Sequence, residues 1–354
     1  MLRVLELFGG IGACTEALKN IGVDFKVVDY VEVDKYAVKS YNAMNGTSYE
    51  PQDIRDWDKD ITADLIMHGS PCQDFSVSGK NRGGDEGSGT RSSLMYETIR
   101  IVEKLRPKYV IWENVKNLLS KKHRHNFDAY LERMEALGYT NYWKVLNSKD
   151  YGVPQNRERV FTISILGGSM AHREDGQITF DDLLGYDKGQ SFNFPPKEEL
   201  TIKLADLLQE NVSEKYYLPK KILDIMCVSD AQTDGTFIPI KNATSKGYLE
   251  AYEGDGVDIQ FPKSQTRRGR VQRQKAHTLT CCEGEVAVVL GGLRIRKLTP
   301  REYWRLQSFS EKSYDQAKSV CSDFQLYRQA GNSITVRVLE KILTNLLTEI
   351  NNNE

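Results

Sequence analysis

The feature of the sequence that most restricts its fold is an alternation of short apolar runs with stretches of helical periodicity, which continues to about Leu166. The runs have the length of buried strands, and intervening stretches such as SLMYETIRIVEKL (93–105) carry apolar residues on one helical face. Strands and helices that take turns along a chain are typical of an α/β domain with a parallel sheet. The predicted strands are LRVLEL (2–7), FKVVDYVEVD (25–34), ADLIMHG (63–69), YVIWENV (109–115), YWKVLN (142–147) and RVFTISIL (159–166).

The alternation ends near residue 170, where short strand-like pieces and turns such as TDGT and EGDGVD replace it. We therefore expect a second, smaller and less regular domain. The stretch TVRVLEKILTNLLTEI (335–350) has apolar residues at helical spacing and predicts a final amphipathic helix that packs on the first domain. The predicted division is a discontinuous sheet domain, 1–188 plus 322–354, and an inserted domain, 189–321.

The composition indicates a protein of the cytoplasm. The chain has 354 residues, of which 40% are hydrophobic, and no run approaches the uninterrupted apolar length of a membrane span, about 18 residues. The N-terminus MLRVLELFGG has Glu6 within its apolar stretch and lacks a cleavage-site pattern, which argues against secretion. The six cysteines follow no disulfide framework, and the absence of a CxxC pair argues against a metal site.

One strongly basic segment stands out against a net charge of −1. KSQTRRGRVQRQK (263–275) contains no acidic residue. Such an unbalanced cluster indicates contact with phosphates, and a solvated surface loop is the equally weighted alternative. The basic residues are Lys263, Arg267, Arg268, Arg270, Arg273 and Lys275.

The glycines of FGGIG (8–12) follow the first predicted strand and open a helix, where a ligand can approach the main chain. Glu32, twenty residues after Gly12, ends the second strand and can accept hydrogen bonds from both hydroxyls of a ribose. Thr15 replaces the third glycine of the dinucleotide fingerprint. The pattern suits an adenosine-bearing cofactor, and both a structural glycine turn and an NAD site remain open.

Pro71 and Cys72, in GSPCQ, come directly after the third predicted strand. The carboxyl ends of parallel strands are where open sheets place active sites, so a thiol there can reach a ligand beside FGGIG. Pro71 fixes its own φ and favours an extended Ser70, which aims the thiol in advance. A buried, inert cysteine is the alternative, and the position argues against it.

Glu113 ends the next strand in IWENV, so its carboxyl group is expected at the same edge of the sheet as the thiol. Arg157 and Arg159, in QNRERVF, precede or begin a further strand and can supply fixed cations there. Residues 73–93 form a long glycine-rich and serine-rich loop next to Cys72. Such a loop beside a nucleophile indicates a closing lid, with a disordered insertion as the alternative.

Together these motifs resemble the cytosine-5 DNA methyltransferases of bacteria and phages. The similarity extends over most of the chain, and the PCQ and ENV blocks are highly specific in combination. It implies a Rossmann-like S-adenosylmethionine methyltransferase sheet domain facing a target-recognition domain, roughly 189–321, across a DNA cleft. The matching segments, in the family's order, are FGGIG, VEVDKYA, QDIRDW, GSPCQDFSVSG, TRSSL, WENV, QNRERVF, RIRKLTPREYWRLQSF and YRQAGNSITV.

The resemblance also implies roles for individual residues. Cys72 matches the family's nucleophile, Glu113 the group that faces the Watson–Crick edge of the cytosine, and Arg159, with Arg157 as a second candidate, the cation that holds the same base. Ser92 departs from relatives that have glycine before Leu94. Expected to surround S-adenosylmethionine are Phe8, Gly10, Gly12, Glu32, Asp53, Ile54, Pro71 and Asn332, and expected to contact DNA are Gln73, Ser76, Arg267, Arg268 and Arg270.

The expected chemistry explains why the family needs these residues. Addition of the Cys72 thiolate to carbon 6 of cytosine makes carbon 5 nucleophilic, and a protonated Glu113 stabilises the charge that develops on the ring. The base must leave the duplex for this to happen. The expected partner is duplex DNA, and the protein is expected to bind it as a monomer. A cognate restriction endonuclease can act on the same DNA sequence. The alternatives are a tRNA cytosine-5 methyltransferase, a catalytically silent DNA-binding homologue and an NAD dehydrogenase.

Overall fold

The computed structural model describes residues 1–71, 84–85, 87–168, 191–229 and 235–351. These residues belong to two compact units. Unit 1 comprises residues 1–146, 158–196 and the C-terminal part from Val338 onward, and unit 2 comprises 147–157 and 197–337. The functional division at 189–321 concerns which part recognises DNA, and it stays a prediction.

Unit 1 contains a six-stranded sheet in the order β2-β1-β3-β4-β6-β5. Its strands are β1 (Leu2–Leu7), β2 (Phe25–Val31), β3 (Leu65–His68), β4 (Tyr109–Val115), β5 (Tyr139–Asn147) and β6 (Glu158–Leu166). Its helices are α1 (Ala13–Asn20), α2 (Lys35–Asn45), α3 (Met95–Leu105) and α4 (Arg124–Ala136). The predicted strands and helices are thereby confirmed, with shifts of one to three residues at several ends.

The sheet is mixed rather than parallel throughout. Strand β1 pairs in parallel with β2 and β3, and β3 pairs in parallel with β4, but β6 runs antiparallel to β4. A parallel strand needs a crossover of about a dozen residues or more, usually a helix. The connection that leads into β6, from Asn147 to Glu158, is too short for such a crossover. The prediction of a parallel sheet is therefore wrong for β6.

The core of unit 1 lies between the sheet and its helices. It contains fully buried side chains from β1, β3, β4 and α4, among them Leu5, Ile66, Trp112 and Tyr130. Helix α9 (Val336–Asn351) lies mostly within unit 1. Asn20 of α1 donates from Nδ2 to Oε1 of Glu340 in α9 at 2.7 Å, so the two ends of the chain meet in this unit.

Unit 2 contains more helix than the sequence pattern indicated. Its elements are α5 (Lys220–Met226), β7 (Ile238–Lys241), β8 (Tyr248–Ala251), β9 (Gly256–Asp258), β10 (Val271–Gln272), β11 (Val286–Leu290), β12 (Arg294–Lys297), α6 (Pro300–Leu306), α7 (Glu311–Lys318) and α8 (Asp323–Asn332). Strands β9 to β12 form one sheet and β7 and β8 another. Thr299 and Glu302 form a reciprocal capping box at α6, a signal legible in the sequence TPRE.

A buried ion pair fixes the start of α6. Both terminal nitrogens of the Arg296 guanidinium donate to Glu302, at 2.6 and 2.8 Å, and both side chains are almost completely buried.

Within the described part of the chain, no helix is long and apolar enough to cross a membrane.

Candidate active site

The carboxyl ends of four neighbouring strands form one row along the sheet of unit 1. Leu7 of β1 pairs with Val31 of β2 and with His68 of β3, and His68 pairs with Trp112 of β4. The segments that directly follow these residues carry FGGIG, Glu32, the Ser70-Pro71 pair and Glu113. The register therefore brings most of the predicted site residues of unit 1 to one edge, where open α/β sheets bind ligands.

The FGGIG loop leaves β1 in an unusual backbone conformation. Phe8, Gly10 and Gly12 have φ angles of 53°, 55° and 81°, in the left-handed region that glycine adopts without strain. The ring of Tyr41 lies 2.7 Å from where a Cβ atom at Gly12 would stand, so a side chain there would collide with it. Tyr30 donates from its hydroxyl to the main-chain oxygen of Gly10 at 2.5 Å. The two tyrosines shape the loop, and no motif in the sequence indicates this role.

Glu32 connects this loop to the end of β2. Its carboxylate accepts from the main-chain N–H of Gly10 at 3.0 Å and from that of Asp34 at 2.8 Å. Burial raises the pKa of Glu32, and the two main-chain hydrogen bonds oppose this rise. The main-chain oxygen of Glu32 accepts from the N–H of Gln52 at 2.8 Å, which ties the next predicted segment to the same strand end.

Asp53 and Ile54 follow Gln52 at the start of a short 3-10 helix, Ile54–Asp56. The carboxylate of Asp53 caps this helix by accepting from the N–H of Arg55 at 3.0 Å, and it forms an ion pair with the Arg55 guanidinium at 2.5 Å. Hydrogen bonding from Arg55 lowers the pKa of Asp53. Ile54 is buried against the core of the unit. Glu32, Asp53 and Ile54 thus belong to one connected stretch of structure beside the glycine loop.

The residues at this edge fit an adenosine-bearing cofactor. Among the described residues, leaving out its two chain neighbours, no heavy atom lies within 4 Å of where a Cβ atom at Gly10 would stand, so this part of the loop leaves room for a ligand. The carboxylate of Glu32 accepts two main-chain hydrogen bonds, one on each oxygen. Since a carboxylate has about four acceptor positions, it can still accept from two ribose hydroxyls.

Glu113 and Arg159 form an ion pair at the adjoining strand ends. The Nε atom of Arg159 lies 3.0 Å from Oε1 of Glu113, and both side chains are largely buried. The antiparallel course of β6 explains this contact, because it places Arg159, near the start of β6, opposite Val115 at the end of β4. The predicted carboxyl group and the predicted cation are therefore brought together at one rim.

Cys72, Gln73 and Ser76 lie outside the described residues, as does most of the predicted lid. Their assignments as nucleophile and as DNA contacts stay predictions. Pro71 is described, and its main-chain oxygen accepts from Oγ of Ser92 at 2.9 Å. In the sequence, Ser92 was notable only because some relatives have glycine at this position. In the structure it contacts the residue next to the predicted nucleophile.

Arg157 has different surroundings from Arg159. It belongs to unit 2 and is buried, with 2% of its surface exposed. Its terminal nitrogens donate to the main-chain oxygens of Leu279, Gly331 and Ser333, at 3.0, 3.0 and 2.6 Å. A guanidinium that donates to three carbonyl groups holds segments of its own unit together, and the predicted catalytic role of Arg157 stays a prediction.

Arg270 differs from Arg267 and Arg268 of the basic segment in being almost completely buried. It is 1% exposed, and it donates to the main-chain oxygens of Phe261 and Ser264 at 2.9 and 3.1 Å. Burial lowers the pKa of its guanidinium. A side chain in this position stabilises the loop that precedes it, and the predicted DNA contact of Arg270 stays a prediction.

The other arginines of the segment are closer to solvent. Arg267 forms an ion pair with Asp258 at 2.5 Å and keeps part of its surface exposed, and Arg273 pairs with Asp255 at 2.7 Å. Arg268 is exposed. The predicted DNA contacts of Arg267 and Arg268 are compatible with these positions and stay predictions.

Asn332, the last residue of α8, is exposed in unit 2, and its assignment to the cofactor also stays a prediction.

Glu6, on β1 beneath the glycine loop, is a buried acid that the sequence motifs did not single out. It is 1% exposed and accepts a hydrogen bond from Oγ1 of Thr15, which in turn contacts the Tyr41 hydroxyl at 3.1 Å. Burial raises the pKa of Glu6 from 4.5 to about 7. The folded protein therefore keeps the Glu6 proton to a higher pH than the unfolded chain does.

This pKa predicts a pH-dependent contribution to stability. The contribution is complete below pH 4.5 and is lost as the pH rises through about 7, a total of about 3 kcal/mol. Because Glu6→Gln is neutral at every pH, we expect its unfolding free energy to gain on that of the wild type between pH 5 and 8. Urea unfolding of both proteins at these pH values measures the difference, and parallel pH profiles would contradict the assignment.

An open α/β sheet that carries its ligand-binding loops at the carboxyl ends of parallel strands defines a class of nucleotide-cofactor enzymes. Comparison with known families specifies the class further, since residues 2–348 match the model described as C-5 cytosine-specific DNA methylase. The chain belongs to the C-5 cytosine-specific DNA methylase family. The predicted family and the predicted enzyme class, a DNA (cytosine-5-)-methyltransferase, are confirmed.

Two curated relatives match over almost their whole lengths. The chain is 32% identical to the type II methyltransferase M2.ScrFI of Lactococcus lactis subsp. cremoris, covering 98% of this chain and 99% of the relative. It is 30% identical to the orphan methyltransferase M.SPRI of Bacillus phage SPR, covering 100% and 99%. Relatives thus include both a type II methyltransferase and an orphan phage protein.

A solved structure confirms the fold class. The Dnmt2 methyltransferase of S. pombe superposes with a TM-score of 0.64 at 19% identity, covering 99% of this chain and 100% of that one. At this identity the likeness concerns the fold alone. The predicted α/β architecture, with a Rossmann-like methyltransferase sheet domain and a smaller second domain, is therefore confirmed as a fold.

Proposed function

We propose that the protein transfers a methyl group from S-adenosylmethionine to carbon 5 of a cytosine that has been flipped out of a specific duplex DNA sequence. The observation that carries this proposal is the Glu113–Arg159 ion pair at 3.0 Å, on the strand end next to the one that leads into Pro71 and Cys72. A buried carboxyl–guanidinium pair at an active-site edge matches the need to bind a polar base edge while charge develops on it.

Phe8, Gly10, Glu32, Asp53 and Ile54 would hold the cofactor. Glu32 would bind its ribose through the acceptor positions that the main-chain hydrogen bonds leave, and the open main chain of the glycine loop would approach the rest of the molecule. When bound, S-adenosylmethionine supplies an electrophilic methyl group. The role of these residues is to fix it beside the base and to exclude water.

Cys72 is proposed as the nucleophile. Its sulfur would bond to carbon 6 of the cytosine, and the electron pair of the 5,6 double bond would move toward carbon 5. Carbon 5 would then bond to the methyl carbon as the bond from that carbon to the sulfonium sulfur breaks, which would leave the cofactor's sulfur as a neutral thioether. Loss of the carbon-5 proton to a base would re-form the 5,6 double bond, break the bond from the Cys72 sulfur to carbon 6 and release the thiolate. The covalent route divides one slow step into two easier ones.

Glu113 and Arg159 are proposed to hold the ring while sulfur adds. Glu113 would give a proton or a strong hydrogen bond to ring nitrogen 3, and Arg159 would face the carbonyl oxygen at carbon 2. Arg159 uses one N–H on Glu113 and one on the main-chain oxygen of Glu158, so it has further N–H groups for the base. To donate to ring nitrogen 3, the carboxyl group of Glu113 would have to carry a proton while the base is bound.

The partner is proposed to be duplex DNA. Flipping one base costs a few kcal/mol of stacking and pairing, which contacts from phosphate-binding residues such as Arg267 and Arg268 would offset. A monomer is sufficient for this chemistry. A second proposed partner is a restriction endonuclease that acts on the same sequence. The curated relatives include both a type II and an orphan methyltransferase.

Parallel methylation assays test the proposal. Purified protein is incubated with labelled S-adenosylmethionine and either mixed-sequence duplex DNA or total tRNA, and the products are sequenced with a readout for 5-methylcytosine. We expect label in DNA, at cytosines of one short sequence. Label in tRNA alone would replace the proposal with the tRNA alternative. Binding of NAD with no binding of S-adenosylmethionine would replace it with a dehydrogenase, and DNA binding without methylation would indicate a silent homologue.

A further inference from the structure

We propose that Ser70, Trp112 and Ser92 form a brace that positions the nucleophile of the proposed reaction. The inference rests on the proposed function, because it concerns the residues that lead into Cys72. Ser70 and Pro71 directly precede Cys72, and the other two members of the brace lie on β4 and in the segment before α3. None of these three side chains is proposed to touch the base or the cofactor, so they are positioning residues.

The side chain and the main chain of Ser70 are both held by β4. Trp112 donates from Nε1 to Oγ of Ser70 at 2.9 Å, and Asn114 donates from Nδ2 to the main-chain oxygen of Ser70 at 3.3 Å. Ser70 is 3% exposed, so water does not compete for these contacts. The orientation of Ser70 is therefore set by the strand that carries Glu113.

The next peptide group is held from the other side. The ring of Pro71 fixes its φ angle, which leaves ψ as the remaining free torsion of that residue. Ser92 donates from Oγ to the main-chain oxygen of Pro71 at 2.9 Å. That oxygen belongs to the peptide group that joins Pro71 to Cys72. Its hydrogen bond fixes the plane of this group, and with it the direction in which the chain enters Cys72.

Trp112 provides a rigid support for the brace. It is 1% exposed and lies between aromatic neighbours, with ring centroids 5.7 Å from His68 and 4.1 Å from Tyr130. A side chain packed in this way cannot change rotamer without moving the core. The brace thus transfers the rigidity of the sheet to the two residues before the nucleophile.

Precise placement matters because addition to carbon 6 requires the sulfur at a short distance and a defined angle. A misplacement of about 1 Å can cost roughly 100-fold in rate. A purely structural hydrogen bond would have another signature, since its loss lowers the stability of the protein and leaves the rate of the chemical step unchanged. The rate of the addition step, measured separately from binding, distinguishes the two roles.

The test uses Ser70→Ala and Ser92→Ala in the full-length protein, with Ser164→Ala as the matched control. Ser164 is a fully buried serine of β6 whose Oγ donates to Oδ1 of Asn141 at 2.6 Å. It pairs with Val110 near the start of β4, away from the carboxyl end of that strand. Each protein is mixed in excess with a duplex oligonucleotide that carries 5-fluorocytosine at the recognised position, together with S-adenosylmethionine. The covalent adduct is followed in time on denaturing gels, and the affinities for DNA and cofactor are measured separately.

We expect both brace variants to form the adduct about 10-fold or more slowly than the wild type, with both affinities within about twofold. The control should match the wild-type rate. Adduct formation at the wild-type rate by both brace variants would overturn the brace. Equal slowing of the control, or a matching loss of both affinities, would also overturn it in favour of general destabilisation. Failure of the wild type itself to form an adduct would instead refute the proposed function.

Discussion

Replacement of the proposed nucleophile, Cys72→Ser, is expected to reduce methyl transfer by at least about 1,000-fold. A serine hydroxyl is far less acidic than a thiol and remains protonated at neutral pH, so it cannot add to carbon 6 at a useful rate. Duplex binding should be retained, because the substitution exchanges one atom and removes none of the arginines proposed to contact phosphates. Single-turnover transfer from labelled S-adenosylmethionine and a DNA-binding titration measure the two properties.

Cys227→Ser is the control for this experiment. Cys227 is a partly buried free cysteine at the end of α5 in unit 2. Its substitution should leave the transfer rate within about twofold of the wild-type value, because Cys227 is not among the residues proposed to take part in the chemistry. Near-wild-type transfer by Cys72→Ser would remove this thiol from the mechanism.

Glu113→Gln is expected to lower the single-turnover rate by about 100-fold to 10,000-fold, the usual range for loss of a general acid or base. Glutamine keeps the shape of the side chain but cannot take up and return a proton, and it cannot neutralise Arg159 at 3.0 Å. The affinity for S-adenosylmethionine should change little, because Glu113 is not among the residues proposed to hold it.

Glu158→Gln offers a matched control on the same pair of strands. Glu158 forms an ion pair with Lys116 at 3.0 Å, but both side chains are about half exposed. Surface pairs of this kind contribute about 0–1 kcal/mol to stability, so the control should be folded and active. Equal rates for Glu113→Gln and the wild type would show that the carboxyl group has no part in the chemical step.

The sheet of unit 1 could be predicted because its signals are local. Apolar runs and helical periodicity are properties of short segments, and the carboxyl ends of successive parallel strands fall at one edge by geometry alone. Glu32 and Glu113 were therefore placed correctly relative to FGGIG from their positions at strand ends. The direction of β6 was not predicted correctly, because the connection that leads into this strand is too short for the crossover that a parallel strand needs.

The roles of Arg157 and Arg159 could not be separated from the sequence. The two residues are neighbours in QNRERVF, yet one donates to three carbonyl groups of unit 2 and the other pairs with Glu113. Arg270 was likewise indistinguishable from the exposed Arg268. Charge patterns show which residues are basic, whereas burial depends on how distant segments fold against them.

The hydrogen bonds around Ser70 were equally hidden. The residues of the brace are far apart in sequence, and no periodicity or motif links a tryptophan in β4 to a serine after β3. What could be read was the need for a stiff approach to Cys72, from the proline beside it. The structure supplies the partners that complete this stiffness on both sides of Pro71.

The most direct test of the account is to trap the covalent intermediate. Wild-type protein, S-adenosylmethionine and a duplex bearing 5-fluorocytosine in the recognised sequence are incubated together, and the protein–DNA adduct is digested and mapped by mass spectrometry. Fluorine replaces the carbon-5 hydrogen that a base would otherwise remove, and the elimination cannot occur. The bond from the Cys72 sulfur to carbon 6 should therefore persist. The account predicts a stable adduct on the peptide that contains Cys72, and the absence of an adduct, or its attachment to another side chain, would contradict it.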